Sequence, residues 1–586
     1  MDRPAEILAA PPPPSATRPR PLSREEQAKR EIGHTDISPP IKWLLLVILL
    51  GTILVEPVLQ HVCEIRKYRL GQRDTPWPAA YDLWRTSPGI AREMRLAWNG
   101  RDGGWFGKVS AANSVLMGHM SRWENALKDE SVLGGFVRPP TQEILCRLGA
   151  GNEKAYVGRD GWLFYRPEIE YLTHGPFLDP RRLARRLASG SETVAAPQPD
   201  PRRAIIDFAN QLRSRGVELL VMPVPSKAMI HPEKLSARYD GHGQALQNAS
   251  FEHFRGDLEA AGVSVFDASA VMLEGKQAGE PQFLKTDTHW TPATMQRCAG
   301  ELANLIRTRL GPSPAAVGEM STGQQTVAGL GDLAVMLRLP AGQTLYPPQT
   351  VTIRPVQRGA EMWRPDRSAD VLLLGDSYAN IYSLAAMGWG EGAGLAEHLS
   401  LALGRPLDVL IRNDSGAYAT RQMLADELAR GSDRLAGKKL VIWEFAVREL
   451  SEGDWRLIPM TLGEARPSVF VVPPAGTVLR ITGTVVQASP APRPGSVPYK
   501  DHIVAVHLRD VRGEGADGRD IRGEAYVLMW SMRDGVWTEA ARYREGQALR
   551  LRIRPWADVA GQLDRINRSS IEELQLEEPC WGEVDR

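Results

Sequence analysis

The chain has 586 residues, too many for one ordinary hydrophobic core, so two or three domains are expected. Its 71 Lys and Arg residues nearly balance 70 Asp and Glu, a formal charge of +1 that excludes the basic footprint of a nucleic-acid binder. The four cysteines, Cys63, Cys146, Cys298 and Cys580, are too sparse for a disulfide framework and have no zinc spacing; one bridge is allowed, with no pair singled out.

Residues 1–40 are rich in Pro, Arg and Ala without periodicity and read as a disordered tail. The segment "IKWLLLVILLGTILVEPVL", residues 41–59, is wholly apolar from Trp43 to Val55. With Lys42 snorkelling at one end and Glu56-Pro57 closing the other, it reads as a single transmembrane anchor. A cleaved signal peptide fits less well, because the basic leader is long and no small-x-small cleavage site follows. A buried core helix is the remaining alternative. Basic residues flank the segment on both sides, so charge alone sets no orientation; the tail is taken as cytoplasmic and the rest as exported.

Residues 60–150 carry a helical pattern with several Trp and read as a stem, packed on the next domain or facing a partner. The rhythm then changes. "KAYVGRDGWLFY" (154–165) is a strand-turn-strand signal with Asp160-Gly161 at the turn. A helix at 201–216, ending in Gly216, leads into a strand at 217–225, a helix near 245–261 and a strand at 263–267. Further strands at 371–375, 407–412 and 438–446 alternate with amphipathic helices. Apolar strands separated by helices call for a parallel sheet covered on both faces, a three-layer α/β domain over 151–460. Residues 465–586 hold alternating runs split by Gly, Pro and Asp, which predict a small antiparallel β-domain of about five strands, barrel or sandwich. The Pro-rich stretch 488–498 reads as a long loop inside it.

Two stretches carry chemistry. In "LKTDTHWTPATM" (284–295), Thr291-Pro292 reads as a helix N-cap with proline in the first turn, so Asp287 and His289 sit just before a helix. In extended backbone, residues i and i+2 share a side, which lets the carboxylate reach imidazole Nδ1 and leave Nε2 to take a proton. In "VLLLGDSYANIY" (371–382), an apolar strand runs through Gly375-Asp376 into Ser377 and a helix starts at once. That places Ser377 at the carboxyl end of a parallel strand, where open α/β sheets hold their sites, with backbone N–H groups nearby to hold an oxyanion. Alone, Ser377 reads first as a helix N-cap and Asp287-His289 as a surface pair. Together they read as nucleophile (Ser377), base (His289) and orienting carboxylate (Asp287).

These residues resemble the SGNH-hydrolase-like O-acetyltransferases of the alginate AlgJ/AlgX type. The resemblance rests on "VGRDGWLFY" (157–165), "VPSKAMIHP" (224–232), "KTDTHW" (285–290), "LLLGDSY" (372–378) and "VIWEFAVREL" (441–450), within residues 150–455. Asp-Thr-His-Trp preceding Gly-Asp-Ser is the permuted motif order of that family. The resemblance implies that Asp287, His289 and Ser377 are the triad, and that the enzyme acetylates hydroxyls of an exported polysaccharide through an acetyl-serine intermediate. It also implies a membrane-bound O-acyltransferase partner as acetyl donor, and an enzyme anchored in the cytoplasmic membrane with its catalytic domain in the periplasm.

Four further positions are candidates. Asn413 and Gly416, in "RNDSGAYATRQ", are placed to donate to an oxyanion or to make an ordinary turn. Tyr378 either lines the pocket or belongs to the core, and Arg448 either meets a sugar or forms a salt bridge. Lys227, at a strand end, reads as structural. His174, His231 and the other histidines have no ligand spacing, so no metal and no cofactor is expected. The rival readings are a carbohydrate acetyl esterase with the same triad and a non-catalytic polysaccharide-binding or assembly subunit. The C-terminal β-domain is open to a carbohydrate-binding or an assembly role.

Overall fold

The computed structural model describes residues 38–69, 77–99, 104–189, 196–311, 319–414, 416–464, 470–495, 497, 499–514, 520–571, 574 and 577–585. The tail expected at 1–40 therefore lies almost wholly outside the described residues. By internal contacts the chain divides into Met1–Pro78 with Ser131–Leu133, and Ala79–Glu130 with Gly134–Arg586.

In the first unit, α1 (Pro39–Arg69) is one helix of 31 residues that carries the expected apolar segment and continues ten residues past it. It is long and apolar enough to cross a membrane, and almost all its large side chains are exposed. Pro57 sits inside it, and Arg66, Lys67 and Arg69 gather in the last turn, where the helix dipole favours cations.

The second unit begins with the paired helices α2 (Asp82–Asn99) and α3 (Trp105–Glu130), linked by a 2.7 Å contact between His119 Nε2 and Glu93 Oε2. Next come β1 (Ala155–Val157) and β2 (Leu163–Tyr165), the expected hairpin. Asp160 and Gly161 both have positive φ, 55° and 77°, and Trp162 N–H closes the turn on the Arg159 carbonyl at 3.0 Å. That is the type I′ geometry which an Asp-Gly pair adopts at least cost.

Helix α4 (Pro201–Arg213) starts on Asp200, whose side chain accepts from Arg202 N–H, and buries Ile205, Phe208, Ala209 and Leu212. It feeds β3 (Glu218–Val224), the start of a five-stranded, all-parallel sheet. The other strands are β4 (Ser264–Val265), β5 (Val371–Gly375), β6 (Asp408–Ile411) and β7 (Leu440–Ala446). The order is β6-β5-β7-β3-β4. Every residue of β5 and β7 is buried, as expected of strands covered on both faces. Helices α5 (Pro292–Leu310), α6 (Leu395–Leu403) and α7 (Tyr418–Ala429) help to cover them. This is the expected three-layer α/β arrangement. Its strand β4 has two residues where the sequence suggested five, and between α5 and β5 it carries two small antiparallel ribbons within 320–362 that the sequence did not announce.

The C-terminal region resolves the choice between barrel and sandwich. Its strands are β8 (Leu479–Ala488), β9 (His502–Glu514), β10 (Asp520–Arg533), β11 (Ala548–Pro555) and β12 (Cys580–Val584). They pair in the order β9-β8-β11-β12-β10, and β10 pairs back with β9, so the sheet closes. Only β10 and β12 run parallel. This is a five-stranded Greek-key barrel of the OB type, closed around Val485, Val504, Val506, Val527 and Ile553. The sequence missed β12, "CWGEV", because it is short and lies after a stretch without alternation. All four cysteine thiols are free.

Candidate active site

The carboxyl ends of β5, β7 and β3 meet at one rim of the parallel sheet, and four loops converge there. Gly375 ends β5. Its φ is not positive; a Cβ there would come within 2.8 Å of Ala379 Cβ and 3.1 Å of Glu444 Oε2. Glycine is thus required by close packing. Asp376 then caps the one-turn helix Ser377–Asn380: its Oδ1 accepts from Tyr378 N–H at 2.8 Å and its Oδ2 from Ala446 N–H at 2.8 Å. Its own N–H donates to Glu444 Oε2 at 2.9 Å, and burial followed by the Asp376 charge holds Glu444 well above the usual carboxyl range. Ser377, at the head of this turn, is 8% exposed.

The Asp287-His289 segment is not extended, contrary to the sequence reading. Asp287 Oδ1 accepts from His289 Nδ1 at 2.6 Å and from His289 backbone N–H at 3.0 Å, an Asx turn that folds the carboxylate onto the following ring. Asp287 Oδ2 accepts from Trp389 Nε1 at 2.8 Å and from Asp332 N–H at 3.0 Å. Burial would raise the Asp287 carboxyl, but the His289 charge and these donors outweigh it and hold the group at about 2. Burial likewise disfavours the imidazolium, yet the Asp287 carboxylate prevails and raises His289 above its ordinary value. His289 Nε2 is buried and has no hydrogen-bond partner among the described residues, so the bond to the Ser377 hydroxyl is not formed in this structure. The ring packs on Tyr378, the neighbour of Ser377, with centroids 4.8 Å apart, and Trp290 Nε1 donates to the Tyr378 carbonyl at 3.1 Å. The expected N-cap follows directly: Thr291 Oγ1 accepts from Thr294 N–H, with Pro292 in the first turn of α5.

Lys227 holds this loop from beneath. Its fully buried ammonium donates to the carbonyls of Leu163 (2.8 Å), Lys285 (3.2 Å) and Asp287 (2.5 Å), and burial pulls it down to about 8. Asp332 fixes the other side, accepting from Thr288 N–H at 2.7 Å and Thr288 Oγ1 at 2.8 Å; burial and then the Asp287 charge push it up to about 6. Ligand atoms of Asp287, His289 and Asp332 lie within 4.8 Å of one another, close enough for a metal cluster. Every carboxylate oxygen in the group also accepts from an N–H or O–H.

The softer candidates separate. Asn413, just after β6, accepts at Oδ1 from Asn380 Nδ2 at 2.9 Å, while its own Nδ2 is buried and unpartnered among the described residues. Gly416 is an exposed turn glycine with φ 73°; the next residue, Ala417, donates its N–H to Glu449 at 3.1 Å. Its place is the turn into α7. Tyr378 belongs to the core: it is fully buried and its hydroxyl is shared between Glu168 Oε1 (3.0 Å) and the Thr288 carbonyl (3.1 Å). Arg448, at the end of β7, pairs with Glu168 at 3.4 Å and lies 5.3 Å from the Tyr165 ring, so its salt bridge is internal to the site's rim. His231 is structural, accepting from Gln282 N–H and facing Glu233, and burial pulls it down to about 4. Sequence reasoning missed Trp389, Asp332, Glu168 and Asn380. Gly388-Trp389-Gly390 and Gly331-Asp332 were the signals present, both weak without a known partner.

A cavity of about 770 Å³ lies elsewhere, between the barrel and the α/β domain, lined by Arg367, Arg412, Glu427, Asp564 and Arg568 among others. Some of its charges pair with one another, as in Arg568–Asp564 at 3.1 Å and Arg367–Glu427 at 3.3 Å.

Comparison with known proteins agrees with this frame. The chain is 26% identical over 328 residues to the "Probable alginate O-acetylase AlgJ" of Azotobacter vinelandii, covering 53% of this chain and 74% of that one. It is 27% identical over 274 residues to the protein of the same description from Pseudomonas fluorescens, covering 45% and 64%. Among solved structures, the O-acetyltransferase domain of Pseudomonas putida AlgJ is similar at 23% identity and a TM-score of 0.38, covering 51% of this chain and 92% of that domain. Residues 155–447, half of the chain, match the family described as "SGNH hydrolase-like domain, acetyltransferase AlgX". The chain therefore belongs to this family of SGNH-hydrolase-like acetyltransferases.

Proposed function

We propose that the protein is a membrane-anchored O-acetyltransferase that moves acetyl groups onto hydroxyls of an exported polysaccharide. The observation that carries the reading is the buried Asp287-His289 pair, its Nε2 unbonded, set against Tyr378 beside Ser377. His289 takes the Ser377 proton as the hydroxyl attacks the carbonyl of a donor acetyl ester. Asp287 fixes the imidazole tautomer through Nδ1 and stabilises the imidazolium. The Ser377 N–H and Asn413 Nδ2 hold the oxyanion that forms. The donor's alcohol leaves with the proton from His289, and acetyl-Ser377 remains. A sugar hydroxyl, deprotonated by the same ring, attacks the acetyl carbonyl and regenerates the serine.

The relatives' description as alginate O-acetylases supports a polysaccharide acceptor. Helix α1 supports a membrane anchor; the cytoplasmic membrane, a periplasmic catalytic domain and a membrane-bound O-acyltransferase as acetyl source are carried over from the family resemblance. Water competes with the sugar in the second step. The test is purified full-length protein with a chromogenic acetyl ester, with and without oligosaccharide. Acetylated oligosaccharide that disappears in Ser377→Ala supports the transferase. Acetate alone makes the protein an esterase, and polymer acetylation that persists in cells carrying Ser377→Ala makes it a non-catalytic subunit.

A further inference from the structure

Resting on that reading, we infer that the C-terminal barrel sets the oxyanion donor, with Asn380 as the positioning residue that connects them. Asn380 is fully buried, and its Nδ2 faces two oxygens, Asn413 Oδ1 at 2.9 Å and the Arg565 backbone carbonyl at 3.3 Å. Arg565 belongs to the barrel segment between β11 and β12. A backbone carbonyl only accepts, so the Asn380 atom facing it must be the NH2. The Asn413 atom facing that NH2 must then be the oxygen, which turns Asn413 Nδ2 away, unpartnered, and leaves it to donate. Without the Arg565 carbonyl, both amides could flip together, and Asn413 would present an acceptor to a developing negative charge.

The residues on either side of Asn413 are tied to the barrel as well. The Arg412 guanidinium donates to the Arg568 carbonyl, and Asp414 Oδ2 accepts from Tyr499 OH at 3.1 Å. Arg565 is itself anchored by a 2.7 Å bridge to buried Glu397, which also accepts from Ser383 Oγ at 2.6 Å. Tyr499 lies in the β8–β9 loop, and Arg565 and Arg568 lie in the β11–β12 segment. Barrels of this type commonly grip ligands with those two loops. Here both are spent on the loop that carries Asn413, so the barrel is part of the catalytic unit.

The test uses full-length protein and 4-nitrophenyl acetate, reading kcat and KM separately. Asn413→Ala should lower kcat about 100-fold. Asn380→Asp replaces the NH2 with an acceptor that captures Asn413 Nδ2, and should cost a similar factor, with KM changed less than about threefold. Tyr499→Phe, which removes no buried charge, should lower kcat several-fold and guards against a folding defect in Asn380→Asp. Neither should lower kcat further in an Asn413→Ala background. The inference is overturned if both leave kcat intact while Asn413→Ala loses it, or if both cost as much without Asn413 as with it. Should Asn413→Ala itself keep full kcat, the oxyanion reading falls and this inference falls with it.

Discussion

Asp287 grips His289 twice, once at the ring Nδ1 (2.6 Å) and once at the backbone N–H (3.0 Å). One carboxylate oxygen thereby sets both the tautomer of the imidazole and the position of its Cα. The second oxygen is held by Trp389 and by the Asp332 N–H, so the carboxylate has no freedom to turn. Orientation of the base is built into the chain by an Asx turn, and the consequences can be measured.

Replacing Asp287 by Asn keeps the shape and inverts the chemistry. The amide NH2 turned toward Nδ1 forces the proton to Nε2, and the ring can no longer accept from serine. Asp287→Asn should lower kcat by about 10³-fold or more. Steady-state kinetics on an acetyl ester checks this, with thermal unfolding showing that the variant is folded.

The pH profile follows from the same pair. His289 must be neutral to act as base, and its pKa is raised, so kcat/KM should rise with pH through a limb above 6.5. Asp287, held at about 2, stays ionised and adds no limb at neutral pH. In Asp287→Asn the main influence raising the ring is lost and burial is opposed only by the Asp332 and Asp376 charges, so the residual limb should move downward. For stability the carboxylate works in the opposite sense: its contribution is present above 3.8 and is lost as pH falls toward about 2.

Gly331 sits under the Asp287 loop with φ 88°, and a Cβ there would fall 2.3 Å from the Thr286 carbonyl oxygen and 2.9 Å from the Asp287 nitrogen. Gly331→Ala should displace the loop while removing no functional group. A loss of about 2 kcal/mol in stability and of 10-fold or more in kcat is expected, measured by denaturant unfolding and ester turnover.

Lys227→Met takes a donor from the buried Leu163 and Asp287 carbonyls, while the Lys285 carbonyl keeps the Leu163 N–H at 2.9 Å, and should cost about 3 kcal/mol in unfolding free energy. The folded ammonium sits at about 8 against 10.5 when free, so the unfolded state binds more protons between those values. Wild type should therefore gain stability relative to Lys227→Met as pH rises through that window.

Much of this was legible in the chain. Asp160-Gly161 marked its turn, Thr291-Pro292 its cap, and the apolar runs 371–375 and 438–446 the two central strands, because each signal is local. Asp287, His289 and Ser377 were singled out by their local motifs and by an order that resembles a family pattern. Trp389, Asp332, Glu168 and Asn380 were not, since each matters only through a residue at least several dozen positions away. Tyr378 was open between pocket and core in the sequence, and its full burial and its ring contact with His289 place it in the core. The barrel's closure depended on β12, whose five residues have no periodic neighbour.

The central claim is that Ser377 carries the acetyl group, and mass spectrometry of the full-length protein quenched during turnover of an acetyl ester tests it most directly. The account predicts one added acetyl on the peptide containing Ser377, absent in Ser377→Ala and accumulating when the acceptor is withheld. An unmodified Ser377 peptide during active turnover, or an acetyl found on another residue with Ser377→Ala still fully active, would contradict it.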